Sequence, residues 1–133
     1  MRYLLDTNIH SALIRAPRGA VAEQVRRIGE AGIYTSVVVA AELRYGATRK
    51  GSERLTRQVE AVLQAFSIES WRLPYDAIYA DLRLGLERAG TPIGANDLLI
   101  ATQALADGSV LVTDNTREFA RIGGLTIENW LRP

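Results

Sequence analysis

Four short phrases of the sequence carry an acidic residue where a strand is expected to end or a helix to begin. The acids are Asp6, Glu42, Asp97 and Asp114, in the phrases Leu-Leu-Asp-Thr-Asn, Ala-Glu-Leu, Asn-Asp-Leu-Leu-Ile-Ala and Val-Thr-Asp-Asn. Because parallel α/β sheets assemble their sites at the carboxyl ends of the strands, we expect these carboxylates to converge. Carboxylate and water oxygens are the ligands that Mg²⁺ and Mn²⁺ prefer. The sequence therefore predicts a metal-dependent enzyme.

Three of these acids also have simple structural explanations. Asp6 would cap the helix that it precedes, a contribution of about 1 kcal/mol. Asp97 falls in the first turn of a helix, where the dipole favours negative charge by roughly 0.3–1 kcal/mol. Glu42 has apolar or small neighbours, so it either points inward toward a partner or occupies a rim position, where it is half solvated or paired with an arginine. Gathering the acids in one site is the alternative, and a bound cation would remove their mutual repulsion.

Asp114 has two readings that the sequence leaves open. It follows an apolar strand and could be a site residue or a turn residue. In the turn reading, Asn115 caps the next helix and Glu118 completes a capping box. We prefer Asp114 over Glu118 as the fourth functional acid, because the capping box already gives Glu118 a structural role.

The elements that must position these acids alternate between strands and helices along the chain. This order predicts an α/β fold in three layers, α/β/α, with a mostly parallel sheet of about five strands. Strands are expected at residues 3–5, 33–36, 68–73, 110–113 and 125–128, and helices at 7–14, 21–31, 37–47, 53–66, 74–90, 95–106 and 115–120.

Size and composition narrow the class of protein. The chain has 133 residues, 47% of them hydrophobic, which suits one domain with a sizeable core. With 16 Lys and Arg against 15 Asp and Glu, the net charge is only +1, so a strongly basic nucleic-acid footprint is absent. There is no cysteine and a single histidine, His10, which excludes thiolate zinc sites. No secretory signal or long apolar run is visible, so a cytoplasmic protein without a membrane partner is expected.

The ordered phrases together resemble those of the PIN-domain ribonucleases. The chain reads Leu-Leu-Asp-Thr-Asn, Ala-Glu-Leu-Arg-Tyr-Gly, Pro-Ile-Gly-Ala-Asn-Asp-Leu-Leu-Ile-Ala and Val-Thr-Asp-Asn-Thr-Arg-Glu-Phe, and ends in Ile-Glu-Asn-Trp-Leu-Arg-Pro. More narrowly, it is similar to the VapC toxins of type II toxin–antitoxin (VapBC) pairs. The resemblance covers essentially the whole chain, so residues 1–133 are expected to form a single PIN domain with the PIN-like fold.

The resemblance implies a role for each matching residue. Asp6 and Asp97 would be direct ligands of Mg²⁺ or Mn²⁺, with Glu42 completing an acidic triad and Asp114 as the fourth catalytic acid. Side chains that hold the ligand carboxylates in place would be Thr7, Asn8 and Thr113.

The implied reaction is hydrolysis of an RNA phosphodiester by a metal-activated water, leaving a 5′-phosphate and a 3′-hydroxyl. The substrate would be a structured RNA such as tRNA, cut in a single-stranded loop. A cognate VapB-type antitoxin would silence the enzyme by laying its tail in the active-site groove, and DNA would be contacted only through that antitoxin. Cations near the motif ends that could hold RNA, or be ordinary solvated surface, are Arg15, Arg18, Arg44, Arg49, Lys50, Arg117 and Arg121.

Three further questions stay open at this stage. Tyr75, Tyr79 and Leu86 could form a homodimer face or simply belong to the core. A Mg-dependent aspartyl-phosphate phosphatase also begins with a strand and an Asp, but it usually needs a second Asp at the place of Asn8. A catalytically silent PIN-fold binding module is the other alternative.

Overall fold

The structure, a computed structural model, describes residues 1–132, and within them five strands alternate with seven α-helices. The strands are β1 (Tyr3–Leu5), β2 (Ile33–Ser36), β3 (Ser67–Glu69), β4 (Val110–Val112) and β5 (Thr126–Glu128). The helices are α1 (Thr7–Arg15), α2 (Ala20–Ile28), α3 (Val37–Lys50), α4 (Glu53–Gln64), α5 (Tyr75–Arg88), α6 (Ala95–Asp107) and α7 (Thr116–Phe119).

The strands form one sheet in the order β3-β2-β1-β4-β5, and every neighbouring pair is parallel. From β1 the chain crosses to β2 on one side, whereas β4 lies on the other side of β1. This reversal of direction places a crevice outside the carboxyl ends of β1 and β4, which is where open α/β sheets bind ligands.

Alternating side chains of the strands supply two hydrophobic cores, one on each face of the sheet. Leu4 of β1 and Leu111 of β4 pack into the core that the last five helices cover. Leu5 and Val112 point to the opposite face, where α1 and α2 cover them. The period-2 alternation of buried residues thus confirms the expected three-layer α/β/α fold.

Three predicted boundaries are wrong by three residues or more. The helix expected at 37–47 continues to Lys50, and Gly51, with a φ of 65°, ends it. The strand expected at 68–73 is only Ser67–Glu69, because its one partner, β2, ends at Ser36, which caps α3. The helix expected at 21–31 ends at Ile28, because Gly29 takes a φ of 89° that leaves the helical conformation.

The residues proposed for a dimer face belong mainly to the core. Tyr75 and Leu86 are 2% and 7% exposed, and Tyr79 is partly buried against the same core. The core alternative is therefore confirmed for Tyr75 and Leu86. Among residues 1–132, no helix combines the length and the apolar character that crossing a membrane requires.

Candidate metal centre

Asp6 occupies the crevice between the ends of β1 and β4. Its backbone N–H donates to the Val112 carbonyl at 2.9 Å, which continues the pairing of the two strands. Its side chain is 3% exposed and caps α1, because Oδ1 accepts from the Thr7 backbone N–H at 2.8 Å. Asp6 therefore caps α1, as expected. The second oxygen, Oδ2, belongs to a different set of contacts.

Two neighbours orient that second oxygen of Asp6. The Thr113 hydroxyl, fully buried after β4, donates to Oδ2 at 2.8 Å, and Asn8 Nδ2 lies 3.5 Å from it. Asn8 Oδ1 in turn accepts from the Asp114 backbone N–H at 3.0 Å. These bonds tie the start of α1 to the loop after β4, so the Asp6 carboxylate has little freedom to rotate.

Glu42 approaches the same crevice from α3. Its Oε1 accepts from the Thr7 hydroxyl at 2.5 Å, and Asn96 Nδ2 lies 3.4 Å from its Oε2. Within the described residues its hydrogen-bond partners are uncharged, so a pairing with an arginine is wrong, whereas the half-solvated position is confirmed because Glu42 is partly exposed. Thr7 therefore links two acids, because its backbone holds Asp6 and its hydroxyl holds Glu42.

Asp97, half-buried in the first turn of α6, accepts no hydrogen bond from any residue between 1 and 132. Desolvation by burial, followed by the charges of Asp6, Glu118 and Glu42, raises the pKa of its carboxyl from 3.8 to about 6. Burial also raises the pKa of Asp6, against the opposing effect of its hydrogen bonds from Thr113 and Thr7. Asp97 is therefore an acid placed against other acids without a donor to compensate it.

A hard divalent cation would fit this set of oxygen donors, because it would compensate the burial of these carboxylates and neutralise the repulsion between them. Across residues 1–132 there is no group of three acidic or imidazole side chains close enough to hold one ion together. The four acids consequently do not form a closed cage. Two direct carboxylate ligands completed by water is the arrangement that Mg²⁺ commonly takes in proteins.

The structure separates the two candidates for the fourth acid. Asp114 lines the crevice, but its Oδ1 accepts from Asn129 Nδ2 at 2.9 Å and Arg132 Nε at 3.0 Å. These contacts hold the pKa of Asp114 below its usual value. Glu118, by contrast, is one of the charges that raise the pKa of Asp97.

The capping box predicted for Glu118 is not formed. The Asn115 backbone N–H, which Glu118 was expected to bind, donates to the Thr113 hydroxyl at 3.0 Å. Glu118 Oε2 accepts from the Asn115 side chain at 2.7 Å instead, and its Oε1 lies 3.4 Å from the Gly94 backbone nitrogen. The structural reason for setting Glu118 aside therefore does not hold.

Few of the expected cations line the crevice. Arg15 does, together with Ser11, Asn115 and Leu131. Arg44 is paired with Glu60 at 2.9 Å, and Arg121 donates to the Pro92 carbonyl at 3.0 Å. Site residues that the sequence analysis did not single out are Ser11, Asn96, Asn129 and Arg132. Asn96 stands next to Asp97 in its motif, which was a usable signal, whereas nothing local in the sequence links Arg132 to Asp114.

Comparison with known proteins shows the family to which the chain belongs. The family model described as "PIN domain" matches residues 3–125. The chain is 36% identical over 132 residues to a protein of Rickettsia felis named ribonuclease VapC2, covering 98% of each chain. It belongs to the VapC group of the PIN-domain family. A Shigella flexneri protein named tRNA(fMet)-specific endonuclease VapC is 35% identical over 134 residues, with 98% of each chain covered.

Solved structures of the family share the whole fold. The VapBC2 complex of Rickettsia felis, bound to a DNA fragment from its promoter, contains a chain that matches with a TM-score of 0.91 and 35% identity. That match covers 98% of this chain and 99% of the other. A DNA-bound VapBC of Salmonella typhimurium matches with a TM-score of 0.87 and 31% identity, covering 98% of both chains. These matches confirm the PIN-like fold expected from the sequence.

Proposed function

We propose that this chain is a divalent-metal-dependent endoribonuclease and the toxin of a type II toxin–antitoxin pair. The observation that carries the proposal is Asp97, to which no residue from 1 to 132 donates a hydrogen bond, and whose pKa is raised by burial and by the charges of Asp6, Glu118 and Glu42. Such an arrangement is unfavourable in the protein alone and favourable around a cation. The relatives named as ribonucleases, and as a tRNA-specific endonuclease, support RNA as the substrate, with a structured RNA such as tRNA preferred.

Asp6 and Asp97 are the residues that would hold the ion. A bound Mg²⁺ or Mn²⁺ supplies charge neutralisation at the phosphate and lowers the pKa of a coordinated water. Asp6 is prepared for this role by the bonds from Thr113 and Thr7, which fix its carboxylate. Asp97 needs no such bond, because its position at the start of α6 already aims it at the other acids.

Glu42 is suited to receive the proton of the attacking water. Its two oxygens accept from Thr7 and Asn96, each keeps a lone pair free, and the side chain lines the crevice. A carboxylate fixed in this way can accept a proton at either oxygen as the water attacks the phosphorus. The fourth acid would orient the same water, and the charges around Asp97 favour Glu118 over Asp114 for that task.

The partners follow from the relatives. VapBC complexes among the solved structures support a VapB-type antitoxin as the protein partner, with DNA reached through it. A homodimer and a cytoplasmic location remain proposals, as does the assignment of residues 1–133 to a single PIN domain.

One assay separates this function from its rivals. Purified protein is given a structured RNA, a DNA of the same sequence and a small phosphate monoester, each with Mg²⁺ and each with EDTA. We expect cleavage of RNA alone, only with metal, and its loss in both Asp6→Asn and Asp97→Asn. Hydrolysis of the monoester would indicate the phosphatase. RNA binding without cleavage at any metal concentration would indicate the binding module, and EDTA-resistant cleavage would refute metal dependence.

A further inference from the structure

A groove leaves the candidate metal centre and runs between α1, α3 and α4. The residues that line both the metal centre and this groove, so that the two are continuous, are Thr7, Ser11, Arg15 and Glu42. The apolar side chains along the groove are Ile14, Leu43, Leu55 and Val59. We call this surface the α1–α4 groove.

The far end of the α1–α4 groove is basic. Lys50 lines it, and Arg54 joins Lys50 in the adjoining depression that Ile14 and Leu55 also line. Arg15 lines the metal centre, the groove and the depression, so it lies between the two ends. All three cations are exposed, and none forms an ion pair with any residue from 1 to 132. Arg44 of α3 and Arg57 of α4, which lie outside the groove, are paired with Glu60 and Glu53.

We propose that the α1–α4 groove is the path of the RNA strand away from the scissile phosphate, with Lys50 and Arg54 holding a phosphate at its far end. This inference rests on the proposed function. The unpaired cations supply the charge that a backbone phosphate requires. The stretch between them and the carboxylates offers aliphatic surface, mainly of the half-buried Ile14 and Leu55, against which an unstacked base can lie. The acids are then placed at the cut, and Lys50 and Arg54 hold the strand away from it.

A protein segment is the other possible occupant of an apolar groove. Cations that are exposed and uncompensated at the far end favour a polyanion, because a neutral segment would leave them without partners. The ordinary explanation for Lys50 is its place in the last turn of α3, where the dipole favours a positive charge. That explanation predicts a loss of stability on mutation and no specific loss of RNA binding.

The test is a pair of double variants with the same change in charge. Lys50→Ala/Arg54→Ala removes the two cations at the end of the groove. Arg57→Ala/Arg88→Ala is the control, because Arg57 lies on α4 outside the groove and Arg88 occupies the last turn of α5, as Lys50 does in α3. Both are made in the Asp97→Asn background, which is expected not to cleave, and binding of fluorescent single-stranded RNA is measured by anisotropy at several salt concentrations.

We expect the groove variant to bind RNA roughly tenfold more weakly at low salt, and the slope of log K against log salt to fall by about 1.4. The control should show neither change. When the RNA is extended on only one side of the cut, the groove variant should lose affinity for the extension on one side and keep it for the extension on the other. The proposal would be overturned if both double variants lost RNA affinity equally, or if the groove variant lost affinity for oligonucleotides extended on either side of the cut. Either result would indicate nonspecific attraction by the surface charge.

Two other results are equally decisive. If the groove variant keeps full RNA affinity but binds the antitoxin more weakly than the control does, the groove is a protein-docking surface and the proposal fails. The proposed function is tested in a separate experiment, in which the wild-type protein is assayed for RNA cleavage with Mg²⁺. Cleavage by the wild type together with identical binding by both double variants would reject the RNA path alone.

Discussion

The charged form of Asp97 is affected by several other residues of the site. An exposed Asp in the first turn of a helix needs no partner, because the dipole already favours its charge. Asp97 is half-buried, however, and its neighbours are acids. Its free energy in the charged form is therefore unfavourable in the metal-free protein, and this has a measurable pH dependence.

The first prediction compares wild type with Asp97→Asn in EDTA between pH 4 and 7. The folded pKa of Asp97, about 6, exceeds its ordinary value of 3.8, so the native state binds more protons and its stability falls as pH rises through this window. The variant lacks this loss and should be the more stable protein at pH 7. Urea unfolding at each pH gives the difference in the free energy of unfolding between the two proteins. Burial lowers the pKa of His10 to about 4, which gives a pH dependence of the opposite sign, but His10 is present in both proteins and its effect cancels in the difference. A difference that does not change with pH would contradict the account.

The second prediction concerns the fourth acid. Glu118→Gln should lower the rate of RNA cleavage more than Asp114→Asn, because Glu118 contributes to the charge around Asp97 and Asp114 is already engaged with Arg132. Asparagine at 114 can still accept from Arg132, and the ion pair that is lost is exposed to solvent, so the stability of the fold should change little. Rates are measured at several Mg²⁺ concentrations, so that saturating metal does not hide a weakened site. The reverse order of effects would return the role to Asp114.

At the scale of elements, the site depends on the join between the start of α1 and the end of β4. Thr113 makes that join with one hydroxyl, which donates to Asp6 and accepts from the Asn115 backbone N–H. Thr113 itself is fully buried, whereas its two partners, Asp6 and Asn115, also line the crevice. The stability of the fold and the orientation of a ligand carboxylate are thus coupled through one side chain.

The third prediction follows from that join. Thr113→Val keeps the shape and removes the hydroxyl, so the N–H of half-buried Asn115 and a carboxylate oxygen of buried Asp6 lose this partner, at a cost of about 1–3 kcal/mol in the free energy of unfolding. Thr113→Ser keeps the hydroxyl and should lose clearly less. Urea unfolding in EDTA gives both values. Equal losses in the two variants would mean that the methyl group, and not the hydrogen bonds, is what matters.

Several elements could be predicted from the sequence because their local signals agree. The caps of α1, α3 and α4 by Asp6, Ser36 and Ser52 follow the ordinary preference for short polar residues. The end of β3 could not be predicted, since it depends on where its partner strand ends. The capping box at Asn115 failed because a residue outside the helix, Thr113, binds the backbone N–H that the box requires.

At the scale of the whole molecule, the strand order explains why acids so far apart in sequence meet. Asp6 follows β1, Glu42 lies on the helix after β2, and Asp97 begins the helix before β4, all around the crevice between β1 and β4. The convergence was predictable from the position of each acid relative to its element. The contact between Asp114 and Arg132 was not, because it depends on where the chain runs after β5.

The central claim is that Asp97 is a ligand of the divalent cation on which RNA cleavage depends. Titration calorimetry with Mg²⁺ or Mn²⁺ tests it on wild type, Asp97→Asn and Asp76→Asn. Asp76 is the matched control, an exposed acid in the first turn of α5. We expect wild type and Asp76→Asn to bind metal alike, and Asp97→Asn to bind it more than about tenfold more weakly. Equal affinity of Asp97→Asn and Asp76→Asn would contradict the account.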